Sequence, residues 1–318
     1  MMASMNVEES TPYRDSCRVL VLPCPTYEAG KLDSVVERLM AELSGRIKPG
    51  DRVLVKPNLV SAVPLACTGP EVVRSACRCL LDAGARVVVG DSPGFGRAGS
   101  VARACGLDQA LADLGLTVQT LNQPRHVVVG TRRIVVSRRA MEADHVVNVP
   151  RLKAHSQMRV TGAIKNLFGC VPGTRKAWIH AVLGDRGNRF PGHLVDVIAA
   201  LPPVFSLVDA VTAMHRTGPM KGEVIQLGLL ASSQNPVALD TALWTMLGLD
   251  PDLVPLWAEC RRRNLPGNRA EDLIYPLSSP RDFDLSGFVV PETLAPEAFG
   301  PVRLVRSTIR RLAARFSV

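Results

Sequence analysis

Residues 51–94 read DRVLVKPNLVSAVPLACTGPEVVRSACRCLLDAGARVVVGDSPG, and this stretch decides the fold. Its ends are two Val-rich runs, DRVLV and RVVVG, each closing on polar residues, and between them Thr68-Gly69-Pro70-Glu71 opens a run that Gly84 ends. A proline in the first turn and a glycine after the last are the start and stop signals of a helix. Strand, helix, strand is the repeating unit of a parallel sheet, whose buried strands read as continuous apolar runs.

Outward from that unit the alternation continues. RVLVLPC from Arg18 adds a strand and Lys31–Leu43 a helix before the Pro49-Gly50 turn. On the other side follow a helix over Ser100–Leu114, LTVQTL, and HVVVGTRRIVVS, a hairpin turning at Gly130-Thr131. HVVNVP at 145–150, FSLVDAV at 205–211 and EVIQLGLLAS at 223–232 supply strands, and Asn235–Leu247 a helix whose Asn235-Pro236 start is a standard N-cap pair. The expected fold class is α/β, with a mostly parallel sheet, or a mixed one if the hairpin joins it, and helices on both faces. Residues 1–16 are expected to be a flexible N-terminus, 17–258 one α/β domain and 259–318 a basic extension. In that extension Val305, Ile309, Leu312 and Phe316 make one face of a terminal helix surrounded by Arg. Such a helix docks on the body of the protein or on a second subunit in preference to a membrane surface.

Composition narrows the function. With 47% hydrophobic and 21% charged residues the 318-residue chain has ample material for a packed core. Aromatics at 4% leave few stacking platforms for single-stranded nucleic acid. The net charge of +9 fits nucleic acid, acidic lipid or an anionic metabolite and does not choose among them. No apolar run of the ~18 residues a spanning helix needs and no secretory leader pattern are present, so a cytoplasmic protein is expected. Eight irregularly spaced Cys read as free thiols of a reducing compartment. Of the 38 basic residues 31 are Arg and seven are Lys, and five of those Lys fall between 56 and 221. Where either cation serves, such a bias leaves Arg, so a retained Lys points to a need for a compact ammonium or a tunable pKa.

Chemically capable residues recur where strands end. Lys56 and Asn58 follow DRVLV, Asp91 and Ser92 follow RVVVG, Lys153 and His155 follow HVVNVP, and Asp209 follows FSLV. Ligands of open parallel sheets bind at that edge. Singly, Asp91 reads as a cap, Asn58 as a turn residue and Lys153 as solvated; four strands converging on one rim read as a site. In GDSPGFGRAGS, Gly94 and Gly96 begin a Gly-x-Gly-x-x-Gly loop, but the acidic residue expected ~20 positions on is missing, which argues against a nicotinamide site. The loop then either holds a carboxylate or phosphate on its N–H groups or is unliganded.

Between 153 and 180 lie three Lys, two His, Thr161, Asn166 and Cys170. Helical spacing puts Thr161 and Lys165 on one face with Asn166 beside them. Lys165 within GAIKNLFG is either desolvated, and so a proton donor or acceptor near neutrality, or packed along its stem with the ammonium in water. Lys176, beside Arg175, has a solvated reading. Cys170 is either a buried filler or a nucleophile activated by His180 or Lys165. No Cys-x-x-Cys, zinc or iron–sulfur spacing occurs, which leaves the cofactor open and a divalent ion on Asp91 and Asp209 conceivable. Met214–Gly222 has the reach of a lid.

VLVKPNLV, TGPEVV, GDSPG, VPRLKAH, TGAIKNLFGCVPGTRKAWIH, LVDAV, the GP..G loop and NPVALD resemble, in order and spacing, the family called domain of unknown function 362 (DUF362), over about Arg18 to Leu247. The resemblance implies an α/β fold. Many members carry two ferredoxin-like clusters in an added Cys-rich module, which implies electron transfer to a substrate; no such module is visible in this chain. The expected function is therefore an enzyme acting on a small carboxylate or phosphate metabolite, as a reductase fed by a separate ferredoxin or flavoprotein. Lys165, His155, Asp91 and Cys170 are the candidate catalytic groups. Lys56, Asn58, Ser92, Gly94, Gly96, Lys153, Thr161, Asn166, Lys176, His180 and Asp209 are the candidates for binding. The alternatives are a non-redox proton-transfer enzyme, racemase- or isomerase-like, and a basic module for nucleic acid or membrane surfaces, the last disfavoured because its cations are dispersed.

Overall fold

A computed structural model describes residues 17–295, apart from 44, 95, 174, 185 and 186. The N-terminal segment 1–16 and the helix expected over 301–318 lie outside the described residues. Strand β1 (Leu20–Pro23) leads to helix α1 (Ala29–Met40), and β2 (Arg52–Pro57), α2 (Pro70–Asp82) and β3 (Arg86–Asp91) form the strand–helix–strand unit read from residues 51–94. The single helix expected over 100–114 is instead α3 (Ala98–Ala104) and α4 (Leu107–Ala110), because Gly106 adopts φ +77° and ends the first. After β4 (Val118–Thr120), β5 (Pro124–Val129) and β6 (Arg132–Ser137) make the hairpin at Gly130, as a separate two-stranded sheet.

The remaining elements are α5 (Arg138–Met141), β7 (His145–Val149), β8 (Arg151–His155), β9 (Arg159–Thr161), α6 (Ala163–Leu167), α7 (Arg175–Leu183) and α8 (Arg189–Ala199). They are followed by β10 (Val204–His215), β11 (Glu223–Ser233), α9 (Pro236–Met246) and α10 (Pro255–Arg262). The main sheet runs β1-β11-β10-β7-β2-β3-β4. Neighbours from β10 to β4 are parallel, β11 is antiparallel to both β10 and β1, and β9 is antiparallel to β8, so the sheet is mixed through β11 and β9 and not through the hairpin.

Alternation along β2 shows that both faces are covered. Val53 and Val55 pack with Leu32 and Val36 of α1 and Val72 and Val73 of α2, whereas Leu54 packs with Ile164 of α6, Leu194 of α8 and Leu239 of α9. Leu285 and Phe288, far along the chain, join the second of these cores.

Two features of this sheet position the site. From β2 the chain runs outward to β3 and β4, then returns to β7 on the other side of β2 and continues to β10. Loops leaving β2 and β7 therefore diverge, and the crevice between them is where a doubly wound sheet holds a ligand. Past Pro150 the chain continues as β8, alongside the C-terminal half of β10, with the register irregular between Asp209 and Met214. β9 then turns back on β8, pairing Lys153 with Thr161.

The short α6 is started by a carboxylate from another helix. Asp240 of α9 accepts the N–H groups of Ala163 (2.6 Å) and Ile164 (2.9 Å), and a side chain at Gly162 would meet Asp240 at less than 3.0 Å. Burial pushes Asp240 up from 3.8 to about 7, with the two N–H donors opposing the shift. A raised folded-state value means that the native state holds the extra proton, so this group's contribution to stability is full below pH 3.8 and is lost as pH rises through about 7. Asp240→Asn replaces one acceptor with a donor that faces an N–H. It should lower stability by about 2 kcal/mol at pH 8 in urea unfolding and remove that decline between pH 4 and 7; an unchanged urea midpoint would show that the cap does not hold α6.

Candidate functional site

The crevice is floored by a buried ion pair. Lys56, the last cation of β2, is fully buried, and its Nζ lies 2.9 Å from Asp91 Oδ1 at the end of β3. Nζ also donates to Pro57 O (2.7 Å) and Asn166 Oδ1 (3.1 Å). Asp91 is further satisfied by the N–H groups of Leu59 (2.8 Å) and Ser92 (2.7 Å). Gly169 caps the pair so closely that a Cβ there would lie within 3.0 Å of both charged groups.

Asn166 joins this floor to the walls. Its Oδ1 also accepts from Asn58 Nδ2 (2.9 Å), and its Nδ2 donates to Asn148 Oδ1 (2.8 Å), while Asn148 donates to Ser206 Oγ (3.0 Å) and Ala163 O (3.1 Å). Asn58 Oδ1 in turn accepts from Lys153 Nζ. A fully partnered buried network of this kind fixes its members in one arrangement.

Above the floor is a cavity of about 90 Å³, lined by Asn58, Val60, Arg151, Lys153, His155, Thr161, Gly162, Lys165, Asn166 and Pro219. Pockets for drug-sized ligands run to roughly 300–1,000 Å³, so this one admits a small ion or the head of a larger molecule. Its lining holds three cationic side chains and no carboxylate. Arg151, Lys153 and His155 alternate along β8, which points all three to one face of the strand while Leu152 and Ala154 enter the core behind. Thr161 lies on β9 and not on the helix expected at that spacing, and it reaches the same cavity as Lys165 through the strand pairing.

Each wall group has a distinct electrostatic setting. Arg151 donates to Asp209 Oδ2 (3.1 Å), Cys67 O (3.2 Å) and Thr212 Oγ1, but its buried Nε–H has no hydrogen-bond partner among the described residues. Asp209 is held by Tyr27 Oη (2.9 Å) and Gly69 N (2.8 Å), so it braces Arg151 from behind. Lys153 Nζ donates to Ala66 O (2.7 Å) besides Asn58. Burial pulls Lys153 down from 10.5 to about 7, with Lys165, Arg151 and Lys56 adding to the fall and the Cys67 thiol opposing it. His155 accepts Gln157 N–H on Nδ1 (3.1 Å), which leaves the ring proton on Nε2; burial, then Lys165 and Lys153, hold the ring well below its usual value and so neutral at pH 7. The half-buried Lys165 places Nζ 5.5 Å from the centroid of Phe168 and 5.9 Å from that of Phe190.

Other expected site residues lie elsewhere. Asp91 and Asp209 face different cations, Lys56 and Arg151, and among the described residues no group of three His, Cys, Asp or Glu is placed to hold a metal ion. Cys170 is fully buried, and burial pushes its thiol up to about 12, so it is not a thiolate nucleophile. His180 packs on Phe190 at 4.1 Å, away from the cavity lining. Lys176 is not solvated: it is buried, donates to Ser92 O, and burial pulls it down to about 7. Ser92 Oγ accepts Gly173 N–H (3.1 Å), and Gly94 and Gly96 are outside the cavity lining, with Gly94 against Val60. The 214–222 loop does reach the cavity: Pro219 lines it, and Ser61 Oγ meets Met220 Sδ at 3.3 Å across its rim.

Arg151 and Tyr27 were not singled out by sequence. Arg has no contrast in a chain with 31 of them, yet the R-x-K-x-H alternation at 151–155 is a strand signal that could have found Arg151.

Fold and crevice together define an open α/β-sheet protein whose cationic side chains collect at the topological switch point. The chain belongs to the family described as Domain of unknown function (DUF362), whose profile matches residues 53–245. It is 39% identical over 306 residues, 94% of this chain and 95% of the other, to a thylakoid-associated protein of Synechocystis sp.. Among solved structures it resembles a Thermotoga maritima protein (14% identity, TM-score 0.41), covering 67% of this chain and 57% of that one. It also resembles the lactate racemase apoprotein from Thermoanaerobacterium thermosaccharolyticum (11% identity, TM-score 0.42), covering 72% of this chain and 56% of that one. Among the described residues no helix is long and apolar enough to cross a membrane.

Gly169→Ala drives a methyl into the Lys56–Asp91 pair and should cost about 3 kcal/mol or more, the scale of disrupting a buried ion pair. Urea unfolding checks this, and a wild-type midpoint would mean that the floor yields without cost.

Proposed function

We propose that the cavity binds the carboxylate or phosphate of a small metabolite and that Lys153 and His155 exchange a proton with it. The observation that carries this reading is the cavity's charged lining, Arg151, Lys153 and Lys165, with no carboxylate among the lining residues. Small size and positive lining select an anionic head group over a nucleoside or a dinucleotide.

Acid–base work follows from the two groups beside it. A neutral Lys153 amine has two N–H bonds, both directed at Asn58 Oδ1 and Ala66 O, and the remaining tetrahedral position is a lone pair that can take a proton. With a value near 7, Lys153 has comparable populations of both forms at physiological pH, the condition under which a general base works best. The neutral His155 offers Nε2–H as the partner donor. Lys165 adds charge from the facing wall and stands as a second lysine for the same transfer. Arg151, braced by Asp209, supplies the fixed charge that orients the ligand.

Proton abstraction next to a carboxylate, as in a racemase or isomerase, uses these groups alone. In the reductive variant the same groups protonate a substrate that receives electrons from a separate iron–sulfur or flavin protein. Loss of the α-hydrogen from small carboxylates in D₂O without an electron donor, followed by NMR, distinguishes the two. Exchange should fail in Lys153→Met and in His155→Phe; exchange retained in both variants and in Lys165→Met overturns the assignment.

Binding has its own signature. Affinity for acetate, measured by calorimetry, should fall as pH rises through about 7, where Lys153 loses its charge. Lys153→Met should abolish that slope even though Lys176 titrates in the same range, and Arg151→Gln should weaken binding about tenfold or more, as expected for one charge-assisted hydrogen bond. Affinity that is flat with pH and indifferent to Arg151 refutes the anion site.

A further inference from the structure

The turn whose carbonyls hold two of the cavity's cations also carries a thiol that shares a hydrogen-bond acceptor with a second thiol. Cys67 ends the single helical turn Pro64–Ala66, and Cys105 ends α3. Both sulfurs converge on one carbonyl: Cys67 Sγ lies 3.3 Å and Cys105 Sγ 3.9 Å from Ser61 O. Sharing that acceptor makes the two thiols neighbours, and each shifts the other's titration. The same turn holds two cations of the site, Lys153 through Ala66 O (2.7 Å) and Arg151 through Cys67 O (3.2 Å).

We infer that Cys67 and Cys105 are a redox pair that closes reversibly to a disulfide on oxidation by a peroxide and thereby shifts the turn that holds Lys153 and Arg151. Cys67 differs from the other cysteines in a way that fits the attacking role. Burial raises Cys24 to about 11, Cys77 to about 12 and Cys170 to about 12, whereas Cys67 is lowered, first by the neighbouring Cys105 thiol and further by the Lys153 ammonium. Thiolate is the reactive form, and a resolving thiol in contact is the usual arrangement of a redox-sensing cysteine.

The chemistry balances without a further reactant. Cys67 thiolate attacks one peroxide oxygen, the O–O bond breaks, and hydroxide leaves, giving a sulfenic acid. Cys105 sulfur then attacks Cys67 Sγ, the S–O bond breaks, and the departing hydroxide takes the Cys105 proton. Two thiols lose two electrons, and hydrogen peroxide becomes two waters. Closing the bond requires an S–S length of about 2.05 Å, shorter than any thiol–thiol contact. The Cys67 end of the turn and the Cys105 end of α3 must therefore approach one another, and Lys153 loses the thiolate that opposes the fall of its pKa.

Thiol titration and peptide mapping of the full-length protein decide the matter. The reduced chain has eight thiols; after hydrogen peroxide it should have six, with one linked peptide pair containing Cys67 and Cys105, and dithiothreitol should restore all eight. In Cys105→Ser the same treatment should leave Cys67 as a sulfenic acid that dimedone traps, which keeps the test decisive if the Cys67→Ser variant folds poorly. Oxidation that appears first at the half-buried Cys17 or Cys79, with Cys67 and Cys105 unlinked, overturns the pair.

The effect on the cavity rests on the anion reading and has its own readout. Phosphate affinity should drop on oxidation and recover with dithiothreitol. Affinity that is equal in the two states overturns the coupling. Absence of phosphate binding in the reduced protein counts against the anion site, while the linked peptide still decides the thiol chemistry.

Discussion

A lysine ammonium and an aspartate carboxylate meet beneath the crevice, both withdrawn from water, and the arrangement of the site follows from keeping that pair satisfied. Taking two charges out of water costs several kcal/mol for each, and only close contact plus hydrogen bonds to every remaining donor and acceptor offsets it. Lys56 and Asp91 end adjacent parallel strands, so the sheet itself sets their separation. Their remaining partners, Asn166 and the N–H groups of Leu59 and Ser92, then fix where α6 and two loops must sit. Glycine at 169 is the consequence on the covering side: anything larger would separate the charges.

The same logic is repeated at the second pair. Asp209 and Arg151 lie on paired strands, with Tyr27 and the Gly69 N–H completing the carboxylate. The acids of the region are thus committed behind the cavity, each to one cation, and Asp240 is committed to the start of α6. What remains toward the cavity is positive charge and neutral imidazole. An anion there would meet donors held in place before it arrives, which lowers the ordering cost of binding.

Much of this was legible in the residues. The strand–helix–strand unit at 51–94 and the polar residues closing each strand located the sheet and the edge where these residues gather, and Lys56, Asn58, Lys153, His155, Thr161, Lys165 and Asn166 lie around one cavity or its floor. The division of labour was not legible. Nothing in GDSPG says that Asp91 faces the lysine at the end of the neighbouring strand, and nothing in NPVALD says that Asp240 reaches another helix, because such pairings depend on sheet order and packing. Lys176 looked solvated from its Arg neighbour and is buried, with Ser92 O accepting from its ammonium. Thr161 was assigned to the right cavity for the wrong reason: Gly162 delays the helix, so the i, i+4 argument does not apply, and strand pairing does the positioning. Cys170 sits in a motif that attracts attention, but its sulfur is a neutral filler.

Spacing within β8 has a further consequence for how this chain can vary. Arg151, Lys153 and His155 share a face only because the pleat repeats every two residues, and the core claims Leu152 and Ala154 on the other. Inserting or removing one amino acid between Pro150 and the start of β9 would turn the cations into the hydrophobic interior and the leucine outward. Length changes should therefore be tolerated here only in pairs, so relatives that keep the chemistry should differ in this strand by substitution and not by indels of odd size.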